Sequence, residues 1–298
     1  MRYLPQVLMF DKLLLTMAFA AEPDTAAVAG MAGAGVANSV DGNAIRRSPA
    51  SMLLTVDYTG QSDFHGSLAD GPLIGGTVSV KDTRTSDFGA GIQTTRQWSN
   101  VAPPENELPG WKEPGQAFSD KRWEQSWRLG VGYGVLRRPV LTPTGSVEVR
   151  RLAFGGGAVY TRTVSEVSGS GNDWEFNAGV AARPHVSLTT AASVHGLGEW
   201  GDEDQWYEAG AFFDRGRWQL ATDGIYRPSS DVPTGFRAGG GVTIDGVVLR
   251  GGGSYDEGEW LYAGGLGIVS DSVRADYGLQ YNPVTGAFDH YVGFFGQF

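Results

Sequence analysis

"SWRLGVGYGV", Ser126 to Val135, is the stretch on which the fold turns. Read with a period of two, it places Trp127, Leu129, Val131, Tyr133 and Val135 on one face. Arg128, Gly130, Gly132 and Gly134 fall on the other. Strict alternation marks a strand, because successive side chains point to opposite faces of a sheet. The second face is the informative one. A soluble sandwich would carry Lys, Glu and Thr on its wet side, whereas here that side is glycine with one arginine. A bilayer asks for the reverse of a soluble fold: an apolar outside, small and polar residues inside, and every backbone group paired by closure.

The pattern repeats along the chain. "DWEFNAGVAAR" sets Trp174, Phe176, Ala178, Val180 and Ala182 against Glu175, Asn177, Gly179, Ala181 and Arg183. "RWQLATDGIYR" gives Trp218, Leu220, Thr222, Gly224 and Tyr226, and "VRADYGLQY" gives Val273, Ala275, Tyr277, Leu279 and Tyr281. Trp and Tyr recur at the ends of the apolar face, where aromatic girdles meet the two membrane interfaces. Segments of this kind are predicted at 52–60, 75–82, 86–97, 123–136, 147–163, 172–184, 186–197, 205–214, 217–227, 234–244, 246–256, 259–269, 272–281 and 287–298. That makes about fourteen strands, an even number as in bacterial single-chain barrels. The fold class is therefore all-β: a transmembrane, antiparallel, up-and-down β-barrel.

The connections test that count independently. With the N-terminus in the periplasm, the even connections are mostly tight, such as "PH" at 184–185 and "RG" at 215–216. The odd ones are mostly longer, the longest running from Ser99 to Arg122. Short periplasmic turns and long external loops are the expected asymmetry. The exceptions are a long even connection at 137–146 and a two-residue odd one at 257–258. The last strand, "FDHYVGFFGQF", alternates Phe288, His290, Val292, Phe294 and Gly296 and would close the barrel on the first.

Composition narrows the function. The 298 residues include 45 Gly and no Cys, so there is no disulfide framework, thiolate metal site or cysteine nucleophile. A formal charge of -10 with no basic stripe argues against nucleic acid as partner. His65, His185, His195 and His290 are scattered without metal-ligand spacing, and no cofactor is expected. Residues 1–20, with Arg2 and Lys12 ahead of "LLLTMAFA", read as a secretory signal peptide and place the mature chain in the bacterial outer membrane. Residues 52–298 would be the barrel, leaving 21–51 between.

That intervening stretch contains "GMAGAGVANSVDGNAIRRSPASML", Gly30 to Leu53. Its glycines are not a phosphate loop: no apolar strand precedes them, and the order of a dinucleotide fingerprint is inverted. Gly30, Met31, Gly33, Gly35, Val36, Ala37, Asp41, Ala44, Pro49, Ala50 and Leu53 instead resemble the N-terminal pattern of the FadL-like superfamily of outer-membrane barrels. That superfamily includes long-chain fatty acid transporters and PorV-type secretion-associated proteins. Asp276, Tyr277, Pro283, Gly286, His290 and Phe298 resemble the PorV-type closing hairpin.

The resemblance implies that residues 21–51 fold into the barrel as a plug. Gly30, Gly33 and Gly35 would then serve tight turns and close approach to the wall, and Pro49 would fix the entry to strand one. Asp41, Arg46 and Arg47 belong to the same segment, and one of the arginines should lie near a lumen carboxylate such as Asp223 or Asp276. It further implies either passive uptake of small hydrophobic molecules such as fatty acids or, alternatively, a structural barrel of a secretion or motility complex. Outer-membrane lipid is a partner in both cases, joined by a hydrophobic ligand or by other envelope proteins. An enzyme is not expected.

Alternation itself nominates the lumen residues Arg128, Arg151, Glu175, Asp223, Arg274, Asp276 and Gln280. Charges inside a barrel either tune a pore and pin a plug, or pair across the lumen and keep it shut. The glycines at 130–134 and 155–157 would free volume for a plug backbone or for a ligand. The loop 99–122, with Pro103, Pro104, Pro109, Pro114, Trp111 and Phe118, suits a partner platform or a lid.

Overall fold

The computed structural model describes residues 25–38, 42–67, 73–84, 87–101, 120–142, 145–165, 169–197, 205–270 and 272–298. The expected signal peptide, Asp41 and most of the 99–122 loop lie outside them.

Fourteen strands follow in order. They are β1 Tyr58–Ser67, β2 Leu73–Asp82, β3 Phe88–Val101, β4 Asp120–Thr142, β5 Gly145–Ser165, β6 Gly169–His185 and β7 Leu188–Leu197. The second half is β8 Trp206–Asp214, β9 Trp218–Tyr226, β10 Thr234–Ile244, β11 Val247–Asp256, β12 Glu259–Val269, β13 Val273–Asn282 and β14 Ala287–Gln297. Each pairs antiparallel with its sequence neighbours, and β14 returns to β1 from Thr59↔Gln297 to Ser67↔Asp289. The sheet is closed, as a backbone in hydrocarbon must be.

The two faces are sorted as the alternation requires. On β9, Leu220 is 56% exposed and its neighbour Ala221 only 4%. Phe64, Ile92, Leu129, Phe154 and Ile268 are likewise exposed, while Gln61, Thr77, Gln93, Ser126 and Asn177 are buried. Apolar outside and polar inside is the inverse of a water-soluble protein, and it makes this an outer-membrane barrel. Rings pack along the outer face, with Trp127 5.5 Å from Tyr160 and Tyr160 4.9 Å from Trp174 between centroids.

Strand boundaries differ from the sequence reading at several places, among them the end of β1, which lies at Ser67 rather than 60. β1 begins at Tyr58 rather than 52, because Ser51–Leu54 forms a single 3-10 turn whose Met52, Leu53 and Leu54 are all buried. Three consecutive buried apolar residues cannot belong to a strand with one lipid face. The long even connection at 137–146 is also mostly strand: β4 runs to Thr142 and β5 starts at Gly145. The connection there is thus as short as the other even ones.

Candidate functional site in the barrel lumen

Residues 25–54 contain two very short helices, α1 Ala26–Ala29 and α2 Asn43–Arg47, ahead of the 3-10 turn. Helices of four or five residues have no stability of their own in water. Here they are held by the barrel. Ala26, Val28, Val36, Ala44, Ile45 and Leu53 are all at most 1% exposed, and the segment's partners lie on inward-facing positions around the closed wall. The Ala26 N–H donates to Asp63 Oδ1 on β1 at 2.9 Å, and the Gly42 N–H donates to Gln61 Oε1 at 2.8 Å. Gln280 on β13 donates from Nε2 to Ala29 O at 3.2 Å, and its Oε1 accepts from the Tyr291 hydroxyl at 3.1 Å. Asn177 Nδ2 on β6 donates to Arg46 O at 3.1 Å.

Glycine in the wall makes the room. A Cβ on Gly155 would lie 2.4 Å from Ala50 N and 2.6 Å from Pro49 C, both backbone atoms that cannot swing aside. On the segment's side, Gly33 turns the chain at φ 79, and Gly30 is needed for close approach, since its Cβ would stand 3.1 Å from Gly265 Cα.

The electrostatic centre is Asp223 on β9. Its carboxylate accepts the N–H of Gly35 at 2.5 Å and that of Val36 at 3.2 Å, and it lies 3.5 Å from Arg47 Nη1. The same Arg47 nitrogen donates to Glu208 Oε1 on β8 at 3.1 Å and to the Gly33 carbonyl. Glu208 in turn accepts from Arg237 at 3.1 Å. Arg237 lies 3.5 Å from Asp256, which pairs with Arg227. Arg227 also lies 3.7 Å from Glu257 in the β11–β12 turn and 5.6 Å from the Trp206 ring centre. A ladder of alternating charge thus runs from the outer rim to the inner segment. Each buried charge has an opposite neighbour, which is what makes such charges tolerable away from water.

Neither a family model nor a curated protein sequence matches the chain. Solved structures do. A Pseudomonas aeruginosa FadL homologue aligns over 93% of this chain and 98% of its own, with TM-score 0.60 and 11% identity. The fold is that of the FadL-type outer-membrane barrels. The CymD monoaromatic hydrocarbon channel aligns over 92% of this chain and 96% of its own, with TM-score 0.60 and 10% identity. The Pseudomonas putida toluene transporter TodX covers 93% and 97%, with TM-score 0.58 and 12% identity.

Within this barrel the residues nominated from sequence fall in different places. Asp223, Arg47 and Gln280 meet at or beside the inner segment, as above. Asp276 is held between Arg250 at 2.6 Å and Arg274 at 2.5 Å, so these charges pair on the wall and not with Arg46 or Arg47. Arg128 is buried and donates to Thr95 Oγ1 at 3.3 Å, while Glu175 accepts from Gly196 N at 3.1 Å. Arg46 contributes its carbonyl to Asn177. Pro49 lies beside Gly155, well before β1, and sets the path into the 3-10 turn rather than into the first strand.

Arg151 is displaced by a register shift. Pairing moves from Gly134↔Ala153 to Leu136↔Leu152 and then Arg137↔Arg150, leaving Arg151 extra. It donates to the carbonyls of Arg183 and Pro184 at the end of β6. Arg150 takes the inward place, donating to Leu53 O at 3.0 Å and Thr83 O at 2.9 Å. Sequence reasoning missed Arg150, because nothing in "LRRPV" or "VRRLA" marks a bulge. It also missed Glu208, which alternation along 205–214 places inward, and Gln61 and Asp63, because the sequence reading ends the first strand at 60 whereas β1 runs to Ser67.

Proposed function

We propose that the protein is a passive outer-membrane channel for small hydrophobic molecules, fatty acids among them, with residues 25–54 as its plug. The observation that carries this reading is the lumen itself: it is occupied by a short segment of the same chain, held at separate points by side chains of β1, β6, β8, β9 and β13. The wall closes through β1 and β14 without that segment. Releasing a few polar contacts would therefore move the plug without unfolding the barrel. The shared fold with a monoaromatic hydrocarbon channel and a toluene transporter supports a hydrophobic cargo. The lumen residues Arg128, Glu175, Asp223, Arg274, Asp276 and Gln280 would then pin the plug or line the route beside it, with Arg150 in the place expected of Arg151.

The paired charges favour a second reading, a non-transporting interaction barrel of an envelope complex, since a lumen sealed by ion pairs is also a stable closed one. Uptake separates the two. Proteoliposomes holding the barrel should take up radiolabelled toluene or oleate faster than empty vesicles. Uptake at the empty-vesicle rate, together with an envelope protein that copurifies in fixed stoichiometry, would replace the channel with the second reading.

A further inference from the structure

The outer face of β3–β6 carries a feature that the lumen does not use. Pairing aligns Arg96 with Gln125, Gln125 with Arg162, and Arg162 with Asn172, so one outward row across four strands is entirely polar. The row on its periplasmic side is Thr94, Trp127, Tyr160 and Trp174, and the row beyond it begins Trp98, Trp123 and Val164. Arg96 lies over the Trp98 and Trp123 rings at 4.7 and 5.3 Å, and Arg162 over Trp123 at 5.6 Å. Both arginines are exposed. None of these outward positions carries a carboxylate, whereas Glu124 and Asp173 alternate onto the lumen side. The contrast is Arg84 at the opposite rim, which stacks on Tyr58 but is bound by Asp82 at 2.8 Å.

Height along the barrel decides what these arginines meet. With about 3.3 Å per residue and a tilt of about 40°, each residue climbs roughly 2.5 Å, so an apolar band about 25 Å tall takes about ten residues. Arg96 is eight residues on from Phe88, and Arg162 eight on from Phe154, so both sit near the top of that band. An arginine there escapes the roughly 2–4 kcal/mol cost of the bilayer midplane and reaches the headgroups of the outer leaflet. Strands are about 4.8 Å apart, so the two backbones stand roughly 10 Å apart across β4. Two guanidinium forks at that spacing can converge on one phosphate. The stacked indoles hold them without neutralising them.

We propose that Arg96 and Arg162 form a lipid site on the outside of the barrel, taking the phosphate of an outer-leaflet glycolipid. The test uses the full chain in detergent, titrated with bis-phosphorylated lipid A and read by native mass spectrometry. The native protein should bind lipid A about tenfold more tightly than the Arg96→Gln/Arg162→Gln double variant, one lost charge-assisted contact set being worth that factor. Dephosphorylated lipid A should bind the native protein as weakly as the double variant binds the phosphorylated form, a comparison that needs no variant to fold. Arg84→Gln should change nothing. Equal binding with and without the lipid phosphate, equal binding by the double variant, or loss of binding in Arg84→Gln would each overturn the site. So would displacement of the lipid by inorganic phosphate alone at low millimolar concentration.

Discussion

Asp223→Asn is the substitution that addresses the plug most directly. Asp223 accepts from Gly35 N at 2.5 Å and Val36 N at 3.2 Å and faces Arg47 at 3.5 Å, with an exposure of only 2%. The introduced amide keeps one acceptor oxygen, which can serve one of the two N–H groups. Its NH2 then faces the other, and the attraction for Arg47 is gone. A hydrogen bond to a charged group is worth about 1.5–3 kcal/mol. Glu208 still holds Arg47 at 3.1 Å, so the loss stays below the roughly 3–5 kcal/mol of a fully broken buried pair. A net weakening of about 2–3 kcal/mol follows, which is about a 30- to 150-fold rise in the population with the plug released. Single-channel recording in planar bilayers reads this as open probability. A barrel lacking residues 22–47 calibrates the fully open conductance. If that deletion conducts while Asp223→Asn opens no more often than the native chain, the Asp223 contacts do not restrain the segment.

Other outcomes follow from the same geometry. Gly155→Leu should also raise conductance, because its side chain must displace the Pro49–Ala50 backbone, whereas Gly264→Ala, with open space around it, should be silent in the same recording. Leu220→Arg should lower the unfolding free energy read by urea titration by about 2–4 kcal/mol, a cation on the lipid face, while Ala221→Arg points inward and should insert more readily. The opposite ranking would mean that β9 is turned over. An epitope at Ser229 in the β9–β10 connection should label on intact cells and one at Gly216 in the β8–β9 turn should not; labelling at Gly216 would invert the barrel.

The sequence by itself determined the wall. Trp218, Leu220 and Tyr226 point outward, and Asp223 points inward, because the period of two is set by the backbone of each strand and needs no knowledge of its neighbours. The closed order of fourteen strands followed from the same local signal repeated. The contents of the lumen were legible only in outline. That Arg47 rather than Arg46 meets Asp223 and Glu208 depends on where a five-residue helix comes to rest against strands far along the chain, Glu208 being 161 positions away and Asp223 further. Met52, Leu53 and Leu54 look like the opening of a strand until Gly89 and Gly132 are seen to leave a space for Leu53 inside the wall. Arg150 displaces Arg151 from the lumen because the second of two register shifts between β4 and β5 adds a residue on β5, and a single added residue exchanges the faces beyond it. Local periodicity is written in neighbouring residues. Register across a bulge, and the partners of a charge inside a barrel, are settled only when distant strands close around them.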